Sequence, residues 1–439
     1  MFRRSIPALF VVAFVVALTL ATLDACTSSP PPPPTITVAG TVQALGGAPL
    51  SGVPVAIVDA TGPLPYTATA NDGTFTIADV TPPYSLSAVP NASSGLVPET
   101  WSPLDAAHPV LTLSNDTGNP ASTNCPAATA HVTGTLSQAV GSGDTGQVIF
   151  LAPGIAITQP YSFASANLAA GDTSFDIAVS FDPTLCPAQT TGTLIYLEYP
   201  NPPLVAVDTA QLGGVTATAG TTHSGQALSV QPAALVTVQG TVGFPSGIAN
   251  ATVHGLVGKD GLVLSFAAAP VNPSANGFSL QLPKLAGFTY AAQAVSGPDY
   301  AMSTPAATPG TVHPTFLSLP APIDPGGAGA STTPTFEQSG TSGANVYLTF
   351  LYQGGVMIWM GVSDGPTLTL PVLPSPAVLA HNGGYTWTGA ALHVTGMQKL
   401  DDLLDGRLGS ALGKTSLQSS PDITDLGTFN GSYTSFIVQ

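Results

Sequence analysis

Seven histidines, His108, His131, His223, His254, His313, His381 and His393, are the first candidates for acid–base or metal chemistry. They stand singly. A metal centre needs several donors at short spacing, and a nucleophile needs a base within hydrogen-bond reach; no stretch of this chain supplies either arrangement. There is no Gly-x-Ser-x-Gly elbow, no His-Glu-x-x-His helix and no glycine loop ending in Lys-Ser/Thr. His108, His223 and His313 take equivalent places before three closing strands, which predicts a repeated structural role. Asp59, just before Gly62, and Asp72 form a candidate calcium pair. Neither stretch has the alternating Asp/Asn pattern that wraps this ion, so turn chemistry is the expected use. The residues predict no enzyme, no cofactor and no metal.

The three cysteines divide into one and two. Arg3-Arg4 precede an apolar run from Ile6 to Leu23 that stops at Asp24-Ala25-Cys26, the layout of an export signal. Leu23-Asp24-Ala25-Cys26 is similar to a bacterial lipobox, with Leu23, Ala25 and Cys26 fitting and Asp24 standing where a small or aliphatic residue is usual. The resemblance implies cleavage before Cys26 and a diacylglycerol on its thiol, with an uncleaved membrane anchor and ordinary secretion as the rivals. At about 0.8 kcal/mol per buried methylene, two or three acyl chains hold a protein on a membrane. Thr27 to Pro34 then read as a stiff, proline-rich spacer. With Cys26 assigned to lipid, Cys125 and Cys186 are the remaining pair, and an exported chain meets oxidising conditions. A disulfide closing a loop of about 60 residues would stabilise its module by roughly 4 kcal/mol. A metal or redox thiol pair would want a CxxC or a nearby His, and neither is present.

Sugar recognition would use solvent-facing aromatic rings, because pyranose faces are apolar. Trp101, Trp359 and Trp387 are the candidates. Trp387 alternates with Tyr385 on one strand face and is expected in the core. Trp101 lies in the proline-rich stretch Pro98-Glu99-Thr100-Trp101-Ser102-Pro103 and is the candidate ligand contact.

The elements that must position these residues are strands. Val38, Gly40 and Val42 alternate with Ala39 and Thr41, and Val53, Val55 and Ile57 with Pro54, Ala56 and Val58, a period of two that lays one apolar face on a core. Asp72-Gly73 can take positive φ, which predicts a hairpin between Tyr66–Thr69 and Thr74–Ile77. The series Ala39-Gly40-Thr41-Val42, Pro49-Leu50-Ser51-Gly52-Val53-Pro54-Val55, Asn71-Asp72-Gly73-Thr74-Phe75-Thr76-Ile77 and Tyr84-Ser85-Leu86-Ser87-Ala88 resembles the carboxypeptidase regulatory-like domain. That resemblance implies a transthyretin-like β-sandwich with an accessory, non-catalytic role.

The same order of parts recurs. His131-Val132-Thr133-Gly134-Thr135-Leu136 and Val236 to Val242 echo Val38 to Val42; Gln147–Leu151 and Ala251–Leu256 take the second-strand place. Ser174–Val179 and Gly277–Leu282 answer to Gly73–Ile77, Thr193–Tyr199 and Phe288–Val295 to Tyr84–Val89. His223–Val230 and His313–Leu319 follow the closing pattern of His108–Leu113. Consistent order at weak identity favours duplication of one sandwich. Ile323 to Ser342 reads as a linker, followed by strands at Val346–Tyr352, Val356–Val362, Thr367–Leu370, Tyr385–Leu392 and Ser435–Val438. Thr333-Pro334-Thr335-Phe336, Leu373 to Leu379 and Gly384-Tyr385-Thr386-Trp387 resemble bacterial fibronectin type III-like domains, with Gln338 where such domains often carry Trp. Lys399 to Leu412 is the one amphipathic helix candidate.

The expected organisation is therefore all-β: signal peptide 1–25, tether 26–35, a carboxypeptidase regulatory-like sandwich 36–118, a related disulfide-bearing sandwich 119–233, another at 234–322 and a fibronectin type III-like sandwich 323–439 with a short helical insertion. Composition agrees. Charged residues are 7% of the 439, while Gly and Pro number 47 and 43, a turn-rich β chain more than a disordered one. The formal charge is −16, a surface that repels phosphate backbones and makes nucleic acid an improbable partner. These readings converge on a non-catalytic lipoprotein anchored to the bacterial cell envelope, at the outer membrane or cell surface. Its partners are membrane lipid through Cys26 and a protein or glycan, and its modules form a stalk or adhesion surface. A carbohydrate-binding surface protein is the alternative.

Overall fold

Val38, Gly40, Val42 and Ala44 are buried and the residues between them are not, as a period of two requires of a strand with one face on a core. The computed structural model describes residues 33–44, 48–91, 94–113, 128–153, 155, 163–181, 188–200, 205–259, 262–297, 299–374, 379–394, 396–404, 423–428 and 434–438. Its contacts separate Met1–Thr35 from Ile36–Gln439, and the second unit is the one described below. Cys26, Cys125 and Cys186 lie outside the described residues, as do the leader and most of the tether.

The first stretch contributes β1 (Ile36–Ala44), β2 (Pro54–Asp59), β3 (Gly62–Pro63), β4 (Thr67–Ala68), β5 (Thr74–Val80), β6 (Tyr84–Ala88), β7 (Glu99–Leu104) and β8 (Val110–Leu113). β1 is the centre of a three-stranded sheet, antiparallel to β5 and parallel to β8. The facing strands are β2, β6 and β7. Gly73 does take positive φ, at 77°, and the turn closes through Ala70 N–H to Thr74 O at 2.8 Å. It is a corner and not the expected hairpin: β4 pairs with β2, and β5 crosses to β1.

The second stretch repeats this with β9 (Thr129–Leu136), β10 (Thr145–Leu151), β11 (Phe163–Leu168), β12 (Ser174–Ser180), β13 (Gln189–Tyr199), β14 (Asp208–Thr218), β15 (Thr222–Leu228) and β16 (Gln231–Pro232). The third has β17 (Leu235–Thr241), β18 (Ala251–Lys259), β19 (Leu262–Val271), β20 (Gly277–Pro283), β21 (Thr289–Ser296), β22 (Asp299–Met302) and β23 (Thr311–Val312). Their small sheets run β12-β9-β15 and β20-β17-β23, each with an antiparallel neighbour on one side and a parallel closing strand on the other. The third closing strand ends before His313 and continues only as a bridge between Gly243 and Thr315, shorter than the His313–Leu319 expectation.

One glycine per stretch explains the Gly-Thr motif. Gly40, Gly134 and Gly240 sit opposite Phe75, Phe175 and Phe278 across the antiparallel pair. A Cβ on Gly40 would fall on the Pro109 carbonyl and the Phe75 ring, one on Gly134 on the Gln226 carbonyl and the Phe175 ring, and one on Gly240 on the Val312 carbonyl. Only hydrogen leaves room for the closing strand.

The last stretch holds β24 (Pro322–Asp324), β25 (Gly327–Ala330), β26 (Thr335–Gln338), β27 (Val346–Gln353), β28 (Val356–Ser363), β29 (Thr367–Thr369), β30 (Gly384–Val394), β31 (Ile423–Thr428) and β32 (Thr434–Val438). The expected linker at 323–342 thus carries three short strands. β24-β26-β29 faces β28-β27-β30 across a core where Phe336 stacks on Trp359, centroids 5.4 Å apart, and meets Trp387 edge-on at 5.3 Å. Gln338 is buried in this sandwich; its amide donates to Leu348 O at 3.3 Å, and its Oε1 has no partner among the described residues. Of the helix candidate, Leu400–Leu403 forms a 3-10 turn whose leucines are buried with the first stretch's core, and 405–412 lie outside the described residues.

The larger sheets do not stay separate. β28 pairs in parallel with β7, from Met360 opposite Glu99 to Ser363 opposite Ser102, and β22 pairs with β31. The result is a 15-stranded sheet with the last stretch in the middle and the first and third on its flanks. Cores are shared too: Val346, Leu348, Met360 and Val362 cluster with Val38, Leu86 and Trp101, while Ile149, Leu151, Ile195 and Leu197 of the second stretch cluster with Val253, Val257 and Leu264 of the third.

Adding one methyl group at Gly134 should destabilise the fold by about 1–3 kcal/mol, because the closing strand must move. Gly213→Ala, where no described atom lies within 4 Å, should stay within about 1 kcal/mol of wild type. Equilibrium urea unfolding of the two variants measures the contrast.

Candidate functional site

The chemistry-bearing side chains are engaged in holding strands and turns. Asp59, at the end of β2, accepts from Thr61 N–H at 2.8 Å, Thr61 Oγ1 at 2.6 Å and Thr81 N–H at 2.8 Å. Burial alone would raise its pKa, but the bonds from Thr61 and Thr81 outweigh it and hold the carboxyl below its ordinary 3.8. Asp72 accepts from Thr74 N–H at 3.1 Å and Thr74 Oγ1 at 2.6 Å. Each carboxylate closes its own turn and the two do not share partners.

The histidines behave in the same way. His108 Nδ1 lies 3.0 Å from Ala39 O and His313 Nδ1 2.9 Å from Thr241 Oγ1, each tying a closing segment to its first strand. The His223 ring departs from that pattern, taking Thr218 N–H at 3.0 Å and meeting Thr221 Oγ1 at 2.8 Å. His131 pairs with Asp176 at 2.8 Å across β9 and β12. His393 Nδ1 is 2.7 Å from Gly343 O. His254, half-buried, lies 3.2 Å from Ser265 Oγ, and burial lowers its pKa. Among the described residues, no group of three His, Cys, Asp or Glu is arranged to hold a metal ion.

Trp101 corrects the sequence expectation most clearly. It is part of β7 and 2% exposed, because the stretch read as a proline-rich loop is a strand paired on both sides, with β6 and β28. Its indole N–H meets Glu99 Oε2 at 3.3 Å. Trp359 donates to Thr100 Oγ1 at 2.9 Å, across the β7–β28 seam, and Trp387 to Pro325 O at 3.0 Å. All three rings are core residues. Sequence alternation foretold this for Trp387; Trp101 was obscured by its flanking prolines. Among the described residues Tyr66 is a well-exposed ring, 65% accessible, and no sequence pattern marks it as a contact.

Two features remain that sequence reading did not find. Glu198, buried on β13, accepts from Tyr196 OH at 2.5 Å and Gly141 N–H at 2.8 Å. Burial, then the Glu198 and Asp144 charges, raise the pKa of Asp208 nearby. A 430 Å³ cleft at one end of the third stretch is lined by Asn250, Thr252, Asn272 and Ser296 with Pro270 and Val271. It offers neutral hydrogen-bonding groups and no titratable one, and Asn272 already accepts from Ser274 and Ala275.

Asp59 sets an acid limit with a definite sign. Its folded pKa lies below the unfolded value, so its contribution is whole above about pH 4 and disappears as pH falls through the lowered folded value. The stability gap between wild type and Asp59→Asn should therefore be largest near neutrality and close below about pH 4. Thermal melts of both proteins across that range read it out.

No protein-family model matches the chain, and no curated protein matches it. Among solved structures, it is similar to the Bacillus anthracis TIE protein at 9% identity and a TM-score of 0.15, over 64% of this chain and 50% of that one. A leucine-rich repeat protein from Bacteroides thetaiotaomicron VPI-5482 matches at 14% identity and a TM-score of 0.19, over 44% and 27%. The Streptococcal ancillary pilin matches at 9% and 0.16, over 63% and 99%. The chain thus spans half of the first of these and about a quarter of the second.

Proposed function

We propose that this chain is a non-catalytic cell-surface protein of the bacterial envelope, tethered through an acylated Cys26, whose β-sandwiches serve as a stalk and protein-contact surface. The observation that carries this reading is the joined sheet: β7–β28 and β22–β31 lock the first, last and third stretches edge to edge. A row of sandwiches on flexible linkers bends at each junction, whereas backbone pairing across junctions transmits load. The engagement of Asp59, His108, His131 and His313 in structural bonds supports the non-catalytic part. In this reading 36–118, 119–233 and 234–322 are the duplicated units, 323–439 is a fibronectin type III-like sandwich with a short helical insertion, and a Cys125–Cys186 disulfide staples the second unit. Acidic stretches disfavour nucleic acid and leave a protein as the partner. Glycan binding loses its aromatic platform with Trp101 in the core.

The tether is tested by feeding cells an alkyne fatty acid and fractionating them. Wild-type chain should be labelled and sediment with membranes, and Cys26→Ala should be unlabelled. An unlabelled wild-type chain in the cytosol would overturn the surface reading.

A further inference from the structure

The main path of the 15-stranded sheet has two ends, beside a short branch through β32 that stops at the four-residue β25. At one lie β3 and β4, two residues each, and very short edge strands are one way natural sheets avoid unwanted pairing. At the other lies β19, ten residues reading Leu-Val-Leu-Ser-Phe-Ala-Ala-Ala-Pro-Val, with no charge among them. β18 occupies one side of it, and among the described residues no strand occupies the other. Ala268 and Pro270 are exposed and six more positions are half-exposed. Lysines, inward-pointing charges and prolines are the usual guards of such an edge. β19 has no lysine or inward-pointing charge; its guards are Pro270, one residue from its end, and a register shift at Phe266, and the five residues from Ala267 to Val271 run in unbroken register with β18.

We propose that a second copy of this chain pairs with β19, antiparallel and about a twofold axis, so that the sheet continues from one molecule into the other. Charge selects this occupant. The stretch 234–322 carries Lys259 and Lys284 against Asp260 and Asp299, a net of zero, so the whole −16 of the chain resides elsewhere. Two copies that meet here bring no net charge together, whereas copies that meet at 36–118 or 119–233 bring like charge together. A basic peptide would be drawn to the acidic stretches and finds no carboxylate on β19. An edge strand is also self-complementary under a twofold, the commonest symmetry of protein pairs. The chain already extends this sheet twice by the same device, at β7–β28 and β22–β31.

Pro270 fixes which groups face outward. Proline has no N–H to give β18, so its nitrogen stands on the open side. Ala268, two residues earlier in an uninterrupted register with β18, turns its own N–H the same way. Ala268→Pro therefore removes a donor from the proposed interface without removing a bond to β18.

The test uses the full chain, extracted in mild detergent, and stands apart from the question of the tether. Sedimentation at up to about 100 μM should show a dimer, and Ala268→Pro should weaken it about tenfold or more. Ala268→Lys, which keeps the backbone, should act in the same direction, so misfolding of the proline variant does not decide the matter. A photo-crosslinking residue at 268 in cells should yield a product of two copies. A monomer throughout, a dimer indifferent to both substitutions, or a crosslink to a different protein would each overturn the proposal.

Discussion

A missing Cβ at three equivalent places governs this architecture. In each of the first three stretches a closing strand runs parallel to the first, and its backbone comes so near Gly40, Gly134 or Gly240 that any side chain there would meet a carbonyl. Glycine in a strand interior ordinarily weakens it, through lost packing and extra chain entropy. Here the cross-strand phenylalanine supplies the packing that the glycine lacks: Phe75 and Phe175 lie over the positions where a Cβ would be. The Gly-Thr motif is thus a spacing device, and its recurrence with a matching phenylalanine is the physical content of the repeat.

Closing the small sheets leaves the larger ones with an edge problem. β7 and β22, the last strands of the first and third larger sheets, would present unpaired backbone to solvent if each sandwich stood alone. The final stretch takes both. Its β28 and β31 cover those edges, and Trp359 places an indole N–H on Thr100 across one seam, where both residues are buried. The Asp401 carboxylate adds bonds from the Asp105 and Ala106 N–H groups on the same side. Residues some 260 to 300 positions apart in sequence hold the junction, so its formation requires the last stretch and carries a large loop-closure entropy.

Local pattern revealed the strands and hid their assembly. β1, β5, β9, β12, β17 and β20 were legible because alternation and the glycine turn are properties of neighbouring residues. β14 and β19 were not: Thr, Ala and Gly recur in β14, and β19 runs through three consecutive alanines, so neither carries a strong period. The pairing of β7 with β28 has no local signature, and the prolines beside Trp101 argued for a loop when one of them, Pro103, lies inside the strand. Gln338 shows a different limit. Gln338 stands where the fibronectin type III-like resemblance would put Trp; its Oε1 has no partner among the described residues, and Gly389 leaves space for the amide. Of the site candidates, the sequence identified the turn roles of Asp59 and Asp72, and misplaced Trp101 because burial depends on the distant partner β28.

The scarcity of charge follows from the stacking. On β10 and β13, Val148, Phe150, Leu194 and Tyr196 point into their own sandwich, and the intervening Ile149, Leu151, Ile195 and Leu197 pack against the third stretch. A strand covered on both faces reads as a continuous apolar run, the pattern usual for parallel sheets within layered folds. The same holds on β30, where Tyr385 and Trp387 face β26 while Ala390 and Leu392 face the first stretch's core. Sheets buried on both faces leave few positions where a charge can be solvated, which is why 7% charged residues suffice for 439. A chain of independent sandwiches, each solvated on its outer faces, would need more. Low charge here therefore records mutual burial of the sandwiches.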